Sequence, residues 1–138
     1  MASITLKGRE IPLIYTVYEM KQVQDEIAPL NRAISMVLGR NPDDKNDMSL
    51  YGGPAHLDAA AKLIRILGNA GLEEADQPAD LTEKKIMRAM KPADLILAVN
   101  ACMAAMAEGM SSEIPEKEDD GPVDVTLEEM KKKEEKGN

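Results

Sequence analysis

With 138 residues, a net charge of −8 and a pI near 4.7, the chain has material for about one domain and a surface that repels phosphate. Nucleic-acid binding, which needs lysines and arginines gathered on one face to displace counterions, is excluded as a first reading. The lone cysteine, Cys102, excludes an internal disulfide and fits a reducing compartment.

Residues 3–15 alternate in hydrophobicity. Ile4 and Leu6 are followed by Lys7-Gly8 and then by Ile11, Leu13 and Tyr15. The two-residue period and the glycine predict a β-hairpin, with Pro12 placing its second strand at an edge or a bulge. From Thr16 the period lengthens to three or four at Met20, Val23, Ile27 and Leu30. "TVYE" has the form of a capping box, so a helix is expected from Thr16 to about Ala28. Pro29 interrupts it, and "LNRAISMVLG" continues the apolar face through Leu30, Ile34 and Leu38 to Gly39 as a terminator.

"RNPDDKNDMSLYGGP" reads as a polar surface loop. A further helix is predicted to open near Pro54, with Leu57, Ala60, Ala61, Ile64 and Leu67 on one face. The stretch "GNAGLEEADQPADL" is expected to break it. A short helix capped by Thr82 or Asp80 follows, carrying Ile86, Met87 and Met90. Pro92 then starts a last helix with Leu95, Val99, Cys102, Met103, Met106 and Met110 on its apolar side, flanked by alanines.

The composition changes after Ser111. Residues 112–138 hold ten Asp/Glu and five Lys/Arg, a net of −5, with little hydrophobic content. Such a segment gains too little from burial to offset its ordering entropy, so a disordered acidic tail is expected, with some helical propensity at 126–136. The organisation expected is therefore α+β but mostly α. A hairpin and a small bundle of four to five helices occupy residues 1–111, and a flexible charged tail occupies residues 112–138.

Catalytic chemistry finds little support. His56 is the only histidine and stands in the first turn of a predicted helix with no nucleophile or acid beside it, which reads as a solvated helix-start residue. Cys102 has no CxxC spacing and reads as a small buried hydrophobe. The acidic loop gives Asn46 and then Met48 in a calcium-loop frame from Asp44 and lacks its glycine, so no metal is expected. No phosphate-binding glycine motif occurs, and no cofactor is expected. No uninterrupted apolar run comes near the ~18 residues of a membrane span, and the first ten residues hold no signal-peptide core, so no membrane role is expected. With no Trp or Phe and ten Met, the core must come from aliphatic residues and methionine. Methionines clustered at positions 87, 90, 103, 106 and 110 are either ordinary core or an adaptable surface for a partner helix. On the second reading Met103, Met106 and Met110 are the partner-binding candidates.

The order of elements points further. A hairpin "ITLKGREIPLIYT" passing into "VYEMKQVQDEIAPLNRAI", then "LDAAAKLIRIL", "LTEKKIMRAM", an Ala-rich helix and a charged tail, resembles the tail assembly chaperones of long-tailed bacteriophages and prophages. The resemblance covers roughly residues 3–110 as a pattern of elements and contains no fixed motif. It implies a non-enzymatic protein of the host bacterial cytoplasm that binds the phage tape-measure protein, with the tail-tube protein open as a second partner. Such a protein keeps the tape measure soluble during assembly and is absent from the mature virion. It also implies a second, longer product made by ribosomal slippage, for which Lys131, Lys132 and Lys133 offer a site. A small acidic adaptor binding a host protein and a structural tail component retained in the virion are the alternatives.

Overall fold

The tight turn at Lys7 and Gly8 sets the first element. Both residues have positive φ, 51° and 79°, the pattern of a two-residue type I′ turn whose twist matches the strands it joins. In the computed structural model, which describes residues 2–111, this turn joins β1 (Ser3–Leu6) to β2 (Arg9–Pro12). The antiparallel register runs from Ser3 opposite Pro12 to Leu6 opposite Arg9. Ile4, Leu6 and Ile11 are buried, and Leu13 and Tyr15 carry the apolar side onward. The acidic tail expected at 112–138, its helical stretch and the lysine run all lie outside the described residues.

Five helices follow: α1 (Val17–Glu26), α2 (Leu30–Val37), α3 (Pro54–Glu74), α4 (Glu83–Ala89) and α5 (Pro92–Met110). The fold is α+β and mostly α, as expected from the sequence. Thr16 caps α1 with an extended backbone. Its Oγ1 accepts from the Tyr18 N–H at 3.3 Å, and Glu19 Oε1 accepts from the Thr16 N–H at 2.8 Å. Glu19 can be buried because its carboxylate is spent on this cap. Pro29, at ψ 148°, separates α1 from α2 by turning the chain out of helical geometry. Thr82 caps α4, its Oγ1 accepting from the Lys85 N–H at 3.1 Å.

α3 ends inside the stretch expected to break it, at Glu74, after continuing through Gly68 and Gly71. Both glycines are buried, and the reason is close approach. A Cβ at Gly71 would overlap the Pro12 carbonyl oxygen, and one at Gly68 would stand 2.7 Å from Leu81 Cδ1. The missing side chains let the hairpin's exit lie directly on α3, where the Ile14 N–H donates to the Leu67 carbonyl at 3.2 Å. Packing of this kind outweighs the ~1 kcal/mol that a glycine costs a helix relative to alanine.

α3 is thus the central element, touched by β2, α1, α2, α4 and α5. Two polar clamps hold its neighbours. Arg65 Nε donates to Glu83 of α4 at 3.1 Å while its guanidinium also pairs with Glu26 of α1. The Asn69 amide bonds both the N–H and the carbonyl of Leu81, fixing the segment before α4.

Candidate partner-binding surface

The three methionines proposed from sequence are split by the way α5 packs. Met106 lies in the core, 8% exposed, beside Cys102 and Ala105 on the same buried face. It is removed from the accessible surface, because residues 98, 102, 105 and 106 recur at the spacing that faces the bundle. Met103 is half-buried at the edge of that face, and Met110, at 59%, is exposed at the helix end.

The larger apolar surface lies at the other end of α5. Between the start of α3, α4 and the start of α5 runs a groove of about 410 Å³ lined by Tyr51, Leu57, Met87, Met90 and Leu95, with Lys91 at its lip. Leu57 and Met87 are exposed at 39% and 45%. Beside it, Ile96 lines a hollow shared with Val37, Leu38 and Tyr51, and Leu97 lines another against β1. Ile96 and Leu97 are 48% and 68% exposed. Sequence reasoning missed Leu57, Ile96 and Leu97. The available signal was "LILAV" at 95–99, five apolar residues in succession that wrap around a helix and cannot all face one core.

His56 forms the floor of this region and corrects the expectation of a solvated residue: it is buried, at 3% exposure. Its Nδ1 accepts from the Gly52 N–H at 2.9 Å, its ring stacks on Tyr51 at 4.9 Å, and a backbone hydrogen bond links it to Val37. Burial lowers its pKa from the ordinary histidine value, although the Val37 contact acts in the opposite sense. The neutral ring therefore ties the 48–53 loop to α2 and α3 and holds Tyr51 at the groove.

Cys102 is fully buried, and burial pushes its thiol up to about 12. In the acidic loop, Asn41, Asp44 and Asp47 side chains accept from the N–H groups of Asp43, Asn46 and Ser49. Those side-chain oxygens shape turns. Among the described residues no group of three or more His, Cys, Asp or Glu side chains is placed to hold a metal ion. α5 is long and apolar enough, by length and composition, to cross a membrane, with a mean hydropathy of 1.4. Asp94, Asn100 and Glu108 interrupt it, so its apolar residues form no unbroken run of that length.

Comparison with known protein families, with curated proteins and with solved structures found no match.

Proposed function

We propose that the chain is a non-enzymatic binding protein that shields an apolar helical segment of a partner, acting as a phage tail assembly chaperone for the tape-measure protein. The carrying observation is the open apolar groove between α3, α4 and α5, continuous with exposed Ile96 and Leu97. Its dimensions and lining suit the side chains of one amphipathic helix laid across it. Met87 and Met90 supply flexible thioethers that adapt to varied apolar anchors, which suits a long helical client presenting many similar segments. Negative charge elsewhere keeps the complex soluble.

Co-expression with a phage tape-measure protein is the test. The expected result is a soluble tape-measure protein that co-purifies with the chain, and its return to the insoluble fraction when Met87→Asp and Leu57→Asp are introduced together. A tape-measure protein that remains insoluble with the unaltered chain in excess overturns the reading.

A further inference from the structure

We propose that two copies of the chain associate through the outward face of α5, packed helix against helix about a two-fold axis that passes beside Asn100. The inference goes beyond the chaperone reading and does not depend on it, because the free chain alone tests it.

α5 is apolar on both sides. Residues 95–107, "LILAVNACMAAMA", form the longest stretch of the chain without a charged residue, although 30% of all residues are charged. The core takes one side, through Ala98, Val99, Cys102, Ala105 and Met106. The opposite side is exposed at Ala93, Leu97, Asn100, Ala104 and Ala107, with Leu97 at 68%. A helix that is apolar all round belongs between two partners, not at the edge of one.

The spacing on the outward side points to what covers it. Its residues follow at intervals of four, three, four and three. That is the repeat of about 3.5 residues by which a narrow seam receives another helix. Alanine at three of the five positions lets the two axes approach to about 8 Å, the near limit for packed helices.

The middle residue selects a second copy. At a two-fold axis each side chain meets its own counterpart, so a polar residue there must be able to bond itself. An asparagine amide both donates and accepts, which suits it to that place and fixes the register of the pair. Charge agrees with this choice. Two chains of net charge −8 repel each other unless they meet where charge is lacking, and the seam carries none. Anionic lipid surfaces repel the same charge. From Ala93 to Ala107 the seam is about 21 Å long. One helix pair of that length falls short of the ~800 Å² per partner of a standard interface, so the dimer is reversible and dissociates on dilution.

Sedimentation velocity of the full chain from about 1 μM to about 1 mM tests this. The expected result is a shift from monomer to dimer that strengthens as salt is raised, since salt screens the repulsion between copies. Leu97→Glu, at an exposed position, should weaken association about tenfold or more. A short bismaleimide supplies a second readout, because Cys102 is fully buried and leaves an introduced thiol as the site of reaction. Asn100→Cys should join its own copy efficiently, and Lys21→Cys, exposed on α1, should do so several-fold more slowly. The crosslinks and the salt series stand even if Leu97→Glu fails to fold. A chain that stays monomeric throughout overturns the proposal, and one that also floats with lipid vesicles assigns the face to a membrane instead. Association lost at high salt, unaffected by Leu97→Glu in the folded variant, or crosslinked as fast at Lys21→Cys also overturns it. Client capture by a chain that never dimerises defeats this inference alone, and a dimer that captures no client defeats the chaperone reading alone.

Discussion

The two longest helices put their apolar residues to opposite uses. α3 buries 11 of its 21 residues and is touched by most of the other elements, whereas α5 buries 5 of its 19. Yet α5 is the helix whose composition would suit a membrane. Hydrophobicity therefore does not decide which helix forms the centre of the bundle. On α3, the buried Ala59, Ala60, Ala61, Gly68 and Gly71 let neighbours approach from several sides. On α5 the apolar residues outnumber the directions from which neighbours arrive, and the surplus faces outward.

If α3 is the hub, its glycine contact is where the fold breaks most readily. Gly71→Val drives a branched side chain into the Pro12 carbonyl, and the hairpin must leave α3. The expected cost exceeds the ~3 kcal/mol upper end of ordinary overpacking, seen as loss of a cooperative denaturant transition. A variant with an unchanged midpoint would show that the hairpin does not seat there. A matched pair of truncations sharpens the contrast. Leu67→Ala, at a position with no exposure, is expected to cost about 2–5 kcal/mol, while Leu97→Ala on α5 stays within about 0.5 kcal/mol. Equal losses in chemical denaturation would mean that α5 is covered in the free protein over its whole length.

The smallest effect concerns His56, at the junction of the two helices. Its folded pKa lies below the ordinary value, so the unfolded chain takes up the proton first as pH falls through about 6.5. The stability gained by burying the neutral ring is complete above that pH. It declines on acidification and levels off once the folded-state pKa has been passed. Unfolding midpoints measured from pH 7.5 to 5 are expected to fall less steeply in His56→Gln than in the unaltered chain. Parallel slopes would mean that His56 is not buried as a neutral ring.

Periodicity and capping chemistry made the elements legible. Lys7-Gly8, Thr16 with Glu19, Thr82 and Pro92 all act locally, within one turn of the chain, and each is found at its expected job. What escaped was tertiary. Gly68 and Gly71 look like helix breakers until Leu81 and Pro12 are placed against them, and His56 looks solvated until Gly52 folds back to donate to it. The partner-binding surface was legible only in part. A methionine-rich C-terminal face was visible, but which side meets α3 depends on helix rotation, which put Met106 inside and left Ile96 and Leu97 outside.

Cys102 gives the molecule a chemical clock. Its thiol is sealed under α5 and held protonated to about pH 12, so an alkylating reagent has nothing to attack while that helix is seated. Modification can then proceed only during excursions in which α5 lifts. Because the chain has one cysteine, every modified molecule records one such excursion at a known place. The rate at which the free thiol is consumed is thus a timekeeper for the helix that carries the exposed apolar residues, and a client that clamps α5 would slow it.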